Sequence, residues 1–322
     1  MLEDQGVNVV GVKQKEIYSE SKIRKVIRRL FYYKYFTSVL LKTNPQLVYS
    51  NTVFNFGDVA IAKLLGKKTI VHVHESAAIF QRLRKKIKLC NPFVDNYIFV
   101  SKYNKSCFEN YASPKGSVIY NGVHLEQNYP TVVTSADSIP LFGIVGSIDR
   151  NKAQLLGLQA VKLLRDDHNL NINLKIIGKV ADDGYYQEIL DFVRENGLDK
   201  QVEIAGQISN REDIYRDLFG VLVTSKDESF GMVAVEAASY NRVVIVSDAG
   251  ASPEIIIDAE TGLVFKSGDF IDLAQKIITV VKDDSLRESL VAAGRQRAEA
   301  LFDISRNHVE VTSVINNMIR KC

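Results

Sequence analysis

The chain has little cysteine. Its 322 residues include three, Cys90, Cys107 and Cys322, widely separated and without a C-x-x-C pair. That excludes a disulfide framework and offers no zinc signature, so free thiols in a reducing compartment are the expectation. Long apolar runs are missing too. No stretch of about 18 uninterrupted apolar residues occurs, so no membrane-spanning segment is expected. Met1-Leu2-Glu3-Asp4 is acidic and no long apolar core follows it, which argues against a signal peptide. There is no internal repeat and no low-complexity tract. No G-x-G-x-x-G follows a strand-like run, which disfavours a nicotinamide dehydrogenase.

What is present fits a globular protein with room for two α/β domains: 46% hydrophobic and 25% charged residues. The net charge of +3 conceals a split. Residues 1–130 hold 20 Lys+Arg against 9 Asp+Glu, a balance of +11, and the remainder holds 21 against 29, a balance of −8. The basic half invites an anionic surface.

Short apolar runs alternate with helical patterns along the whole chain. The runs are Val7–Val12, Gln46–Ser50, Thr69–Val73, Tyr97–Val100 and Ser117–Tyr120, then Leu141–Gly146, Ile172–Gly178, Val202–Ala205, Val221–Ser225, Val243–Ser247 and Leu263–Phe265. Such alternation predicts an α/β fold of parallel sheets in two doubly wound, Rossmann-like domains facing a cleft. We divide the chain into a first domain (1–126), a linker (127–140) carrying two prolines, a second domain (141–302) and a C-terminal helix (303–322) that packs back on the first domain. In such sheets ligands sit beyond the carboxyl ends of the strands, so chemistry is sought there.

The most informative stretch is VLVTSKDESFGMVAVEAASYNRVVIVSDAGASPE, residues 221–254. A strand runs into a polar loop, and a helix starts near Phe230 with Gly231 in its first turn. Its free N–H groups and positive dipole end make an anion site. Glu236 is the one charged side chain within 230–240. A buried carboxylate needs a partner: either a basic side chain in an ion pair or the hydroxyls of a ligand. Glu228 precedes it by eight residues, about 12 Å if all were helix. An acidic group at each end and a helix N-terminus between them suit a ligand with hydroxyls at both ends and a diphosphate in the middle.

This segment resembles the sugar-donor motif of glycosyltransferase family 4, retaining enzymes of GT-B fold. The resemblance rests on Glu228-x7-Glu236 within ESFGMVAVEA, on Gly250-Ala251-Ser252-Pro253-Glu254 and on Thr261-Gly262-Leu263. It implies that Glu236 holds the ribose hydroxyls, that Glu228 meets the transferred sugar, and that Ser229, Phe230 and Gly231 lie against sugar and phosphate. Ala251 stands where the family often has a second glycine. LFGIVGSIDRNK, residues 141–152, is similar to the family's phosphate loop. Lys152 matches its lysine, whereas Ser147 occupies the arginine position, with Arg150 as a substitute cation. Arg150 and Lys152 also read as solvated charges at a helix start, although cations there oppose the dipole. Gly178, Gly206 and Ile208 fall where the family packs the base.

In the first half, Val71-His72-Val73-His74-Glu75 ends a strand. His72 and His74 share a face, but a metal pair lacks a third ligand. The resemblance places His74 opposite the transferred sugar; helix capping is the other reading of it. Tyr120-Asn121-Gly122-Val123 is similar to the turn that closes the family's first domain. Ser21–Lys42 is a basic, aromatic-rich helix and Arg82–Lys88 adds a second basic cluster. Docking on an anionic membrane and a solvated helix face both account for them.

The resemblance implies a glycosyltransferase of the hexosyltransferase type. It would move sugar from a UDP- or GDP-linked donor to a glycan or lipid-linked acceptor, in cell-surface polysaccharide synthesis. No metal or other cofactor and no nucleic acid are expected, with a cytoplasmic location at the inner face of the membrane. The family's first strand and glycine-rich loop have no counterpart in this sequence. A non-catalytic or partner-dependent nucleotide-sugar-binding subunit of the same fold is the alternative, and a sugar epimerase is a further rival.

Overall fold

The computed structural model describes residues 22–125, 129 and 138–320. The run expected as a strand at Val7–Val12, and most of the linker 127–140, lie outside them. Two compact units divide the chain, 1–45 and 46–322. The described part of the first is one helix, α1 (Lys22–Thr43). Partners four apart stabilise it: Arg29 Nε donates to the Tyr33 hydroxyl at 3.0 Å, and Tyr32 stacks on Phe36. Val26, Ile27, Leu30 and Phe31 are exposed on it.

The second unit holds two parallel sheets. The smaller contains β1 (Leu47–Ser50), β2 (Lys68–Val73), β3 (Asn96–Phe99) and β4 (Gly116–Val118), side by side in chain order. Residues alternate between its faces. Val71, Val73, Tyr97 and Phe99 pack with Phe56, Phe80 and Phe108, from α2 (Phe56–Leu64), α3 (Ala77–Cys90) and α4 (Lys102–Glu109). Ile70, Ile98 and Ile119 face the other way, onto Val311, Val314, Ile315 and Met318 of the last helix, α12 (Ile304–Arg320).

The larger sheet contains β5 (Leu141–Val145), β6 (Asn173–Ile177), β7 (Val202–Gly206), β8 (Gly220–Val223), β9 (Val243–Ser247) and β10 (Leu263–Phe265), in the order β10-β9-β8-β5-β6-β7. The chain winds outward from β5 to β7, then returns to the other side of β5. The reversal opens a crevice between the carboxyl ends of β5 and β8, where ligands bind in such sheets. Among the described residues, the double winding appears in this sheet only. β8 and β9 are buried throughout, which is why they read as unbroken apolar runs. One face packs on α5 (Gln154–His168), α6 (Asp183–Glu195) and α10 (Phe270–Lys282), the other on α8 (Met232–Ser239), and α11 (Asp284–Leu301) reaches both, with Leu290 and Val291 in the first cluster and Ala298 in the second. The short helices α7 (Arg211–Tyr215) and α9 (Ser252–Ile255) follow β7 and β9.

The sheets meet through a shared core that includes Val100, Val123, Phe230, Val235 and Phe302. Val123 N donates to Phe302 O at 2.8 Å and Ile304 N to Val123 O at 3.0 Å, which carries the chain across into α12. Glu254 on α9 accepts the backbone N–H groups of Lys102 and Tyr103. An anionic side chain of one half thus caps a helix N-terminus of the other.

Candidate active site

The site grows from the loops after β5 and β8. Gly146 follows β5 at φ 141°, and a Cβ there would lie 3.1 Å from Lys152 Cε. The bare backbone therefore lets the lysine stem lie across it. Asp149 shapes the turn: its Oδ1 accepts the N–H groups of Asn151 and Lys152 at 2.9 and 3.0 Å, and its Oδ2 accepts the Ser147 hydroxyl. The loop is then sewn to its neighbour. Thr224 donates to Lys152 O at 2.6 Å, Lys226 N to Asn151 O at 2.8 Å, and Asn151 Nδ2 to Asp227 O at 3.0 Å.

Across that seam Lys152 Nζ meets Glu228 Oε1 at 2.5 Å, and the Ser225 hydroxyl donates to the same oxygen at 2.7 Å. The side chains are 21% and 14% exposed, open enough for a ligand to reach. Two residues after Ser229 comes Gly231, the N-cap of α8, at φ 106°, a conformation that glycine adopts without strain. Its helix begins at Met232 rather than near Phe230. The Phe230 ring is core, tilted against Tyr120 and edge-to-face with Phe302; backbone, not ring, is what this residue offers a ligand. Ser229 O accepts the Ser101 hydroxyl at 2.6 Å, and Asp227 accepts the Tyr103 hydroxyl at 3.0 Å. From behind, Gly250 sits at φ 64°, where a Cβ would come 2.4 Å from the N and O of Glu228, and Ala251 N donates to Glu228 O at 2.8 Å. The loop that carries Glu228 is thus held on every side.

Glu236, one turn into α8, has partners of its own. Arg211 Nε lies 3.0 Å from its Oε1 and the Tyr215 hydroxyl donates to its Oε2 at 2.9 Å. Burial, reinforced by the Glu236 charge, drives the Tyr215 hydroxyl well above its ordinary pKa and keeps it a proton donor. The ion-pair reading of Glu236 is therefore realised in this geometry. It does not exhaust the carboxylate, which has about four lone-pair sites and uses two.

Arg150 is engaged elsewhere. Its guanidinium forks onto Glu188, lies 3.4 Å from Asp182 and covers the Tyr185 ring. The structure does not bring it together with Lys152 as a second cation. Gly146 and Gly178 follow β5 and β6, and Gly206 ends β7 beside them. Gly178 N donates to Gly206 O at 2.7 Å, and a Cβ on Gly178 would overlap Gly146 O. Ile208, two residues after Gly206, is half-buried.

On the other sheet, the His72 and His74 rings lie 4.1 Å apart. His72 Nδ1 is 2.6 Å from the Tyr49 hydroxyl and His74 Nε2 is 2.9 Å from Asn51 Oδ1. Burial, with His74 nearby, pushes the His72 pKa down to about 3, and burial lowers that of His74. Both rings are neutral near pH 7. No group of three or more His, Cys, Asp or Glu among the described residues could hold a metal ion.

The family model for glycosyl transferases group 1 matches residues 127–297, and that for Glycosyltransferase Family 4 matches residues 3–127. The chain belongs to this glycosyltransferase family. An uncharacterized glycosyltransferase of Methanocaldococcus jannaschii is 30% identical over 285 residues, 85% of this chain and 76% of that protein. A Campylobacter jejuni alpha-1,4-N-acetyl-D-galactosaminyltransferase, whose name specifies a PP-undecaprenol-linked glycan, is 26% identical over 274 residues, covering 82% and 73%. The solved structure of Anabaena HepE in complex with UDP and glucose matches with a TM-score of 0.77 at 19% identity, over 87% of this chain and 80% of that one. At that identity the likeness shows the fold, which is GT-B.

In this glycosyltransferase, sequence reading had not singled out Asp149, Asn151, Thr224, Ser225, Arg211 or Tyr215. The Asp-Arg-Asn turn signal was available for Asp149. Ser225 reaches Glu228 only three residues on, within a loop whose shape the sequence leaves open, whereas Asn151, Thr224, Arg211 and Tyr215 act through partners distant in sequence, which no local pattern announces.

Proposed function

We propose that the protein transfers a sugar, with retention, from a UDP- or GDP-linked donor to a hydroxyl of a glycan or lipid-linked acceptor in cell-surface polysaccharide synthesis. The Lys152–Glu228 pair at the mouth of α8, on the crevice between β5 and β8, carries this reading. A diphosphate entering there gains the Lys152 charge and the free N–H groups of α8. Glu228 is then released to a sugar hydroxyl, and Glu236 offers its remaining lone pairs to the ribose. In this reading Ser147, Ser229 and Gly231 face the diphosphate and sugar, and the closely packed glycines 146, 178 and 206 give the base a flat wall, with Ile208 beside it. His74 faces the transferred sugar.

In the proposed step the bond from the anomeric carbon to the diphosphate breaks while the acceptor hydroxyl attacks from the same face. Its proton passes to the departing phosphate oxygen. No metal takes part, because Lys152 supplies the compensating charge. Arg150 belongs to this site only if it leaves Glu188.

Acceptor presentation involves the membrane surface. On α1, Arg24, Arg28 and Arg29 are exposed beside Leu30 and Phe31; on α3, Arg82, Arg84, Lys85 and Lys88 are exposed. Such a combination binds anionic lipid. Co-sedimentation with anionic vesicles should fall as salt rises; equal recovery with neutral vesicles would remove the membrane from the proposal.

The decisive assay is donor turnover. Purified protein should bind UDP or GDP in a thermal-shift screen and consume the matching nucleotide sugar. Lys152→Ala should cut kcat by about 10²–10³-fold, the cost of one preorganised charge at a leaving group. A protein that binds no nucleotide, or a Lys152→Ala variant with full turnover, would refute the proposal.

A further inference from the structure

We propose that Arg242, between α8 and β9, is a positioning residue for the nucleotide end of the donor site. It fixes α7 and, through the Tyr215 hydroxyl, the carboxylate of Glu236. The inference rests on the sugar-transfer reading above, in which Glu236 holds the ribose, and deepens it.

Arg242 is 1% exposed and is the largest fully buried side chain among the described residues. A cation in such a place is costly unless polar groups meet it. Here Nε donates to Tyr215 O at 2.8 Å and Nη2 to Arg216 O at 3.0 Å. These carbonyls lie at the end of α7, where unpaired acceptors and the negative end of the helix dipole favour a cation. Nη1 has no hydrogen-bond partner among the described residues, so both engaged donors serve α7. Tyr129 adds an aromatic face, with Cζ 5.3 Å from its ring centroid.

What this grip holds gives it a functional meaning. α7 is five residues long, too short to keep its shape alone. It nevertheless carries both side chains that meet Glu236, Arg211 and Tyr215. The Tyr215 ring stacks on Tyr240 at 4.9 Å, and Tyr240 meets Tyr129 edge-on at 4.6 Å. One connection, residues 240–242 between α8 and β9, therefore holds Tyr215 by ring and by backbone. A carboxylate anchored by a hydroxyl so fixed presents its remaining lone pairs in set directions, and small misplacements of such a group are costly. An apolar side chain would fill this space without burying a charge. A guanidinium fork reaches two carbonyls at once, which an ammonium on a flexible stem does not.

Titration calorimetry with UDP and GDP, together with steady-state kinetics, tests this on the full chain. Arg242→Lys should raise the nucleotide Kd and the donor KM about tenfold, near what one hydrogen bond to a charged group supplies. It should leave kcat within about twofold, because ribose contacts are equal in the ground and transition states. Tyr215→Phe should act similarly, and the double variant should bind no more weakly than the weaker single one, since both changes act through one hydroxyl. Arg242→Gln, which buries no charge and keeps an amide donor, should also raise Kd, and it decides alone if Arg242→Lys does not fold. A residue that only fills the core would lower the melting temperature and leave the Kd of the folded protein where it was. Unchanged Kd in Arg242→Lys (in Arg242→Gln if the lysine variant does not fold), or effects of Arg242→Lys and Tyr215→Phe that add, would overturn the proposal. A wild type that binds neither nucleotide removes the donor reading and this inference together. A wild type that binds, beside variants of equal affinity, counts against Arg242 alone.

Discussion

Glu236 poses the sharpest question at the scale of single residues, because two partners already hold it. Arg211 is 47% exposed and keeps its hydration, so releasing it from Glu236 costs little. Tyr215 is fully buried and needs the carboxylate. A ribose can therefore take over from Arg211 while Tyr215 stays bound. Glu236→Gln, which keeps the Tyr215 contact, should weaken UDP or GDP binding about 10–100-fold, the worth of charge-assisted hydrogen bonds. Arg211→Ala should leave affinity equal or slightly improved, since it removes a competitor. Titration calorimetry on both variants checks this; equal weakening would mean that Arg211 belongs to the nucleotide site and that Glu236 merely orients it. The sequence singled out Glu236 because a lone carboxylate in an apolar helix demands an explanation, and Glu228 through its spacing from Glu236 and the family motif. It could not reveal Arg211, which lies 25 residues earlier on a short helix after another strand. Nor could it show that Arg150 prefers α6, where Glu188, Asp182 and Tyr185 together outbid the loop.

Secondary-structure elements were more legible, for a physical reason. Strands of a covered parallel sheet are apolar throughout, so β9 and β10 have the bounds their apolar runs suggest. Element ends were harder to read. The start of α8 lies at Met232 because Gly231 takes a left-handed conformation, a backbone choice that composition leaves open. The glycine before Ala251 is the clearest case of a loop that supports the site from behind, against the Glu228 backbone. Gly250→Ala would force a methyl group into the Glu228 backbone at a φ that alanine resists. Donor turnover should fall about 100-fold if Glu228 meets the transferred sugar as proposed, because its carboxylate would be displaced. Gly268 makes the matched control: its φ is 82°, but a Cβ there meets nothing within 4 Å. Gly268→Ala should cost about 1 kcal/mol in denaturant titration and leave turnover alone. Comparable turnover in the two variants would remove Gly250 from any positioning role.

At the scale of the whole molecule, stability should depend on pH through the buried imidazole of His72. The His72 pKa is near 6.5 in an unfolded chain and about 3 when folded, lowered by burial and then by His74. Above pH 6.5 neither state is protonated, and the full stability is present. As pH falls from 6.5 towards 3 the unfolded chain takes up the proton first, so stability is lost across that window. At pH 5 the difference of about 1.5 pH units amounts to about 2 kcal/mol. Asp95 stabilises the fold throughout most of that range and loses its contribution only at lower pH. Burial would raise its pKa, but Lys63 and the Thr69 N–H together hold it below the ordinary carboxylate value, so its contribution disappears as pH falls through that lower pKa. His74 has the same sign as His72, its pKa lowered by burial. Urea titrations of the wild type should therefore give about 2 kcal/mol less stability at pH 5 than at pH 7.5. His72→Phe should remove most of that dependence while Lys63 and Asp95 remain paired. If the variant keeps the wild-type slope between pH 7.5 and 5, His72 is not held neutral by the fold.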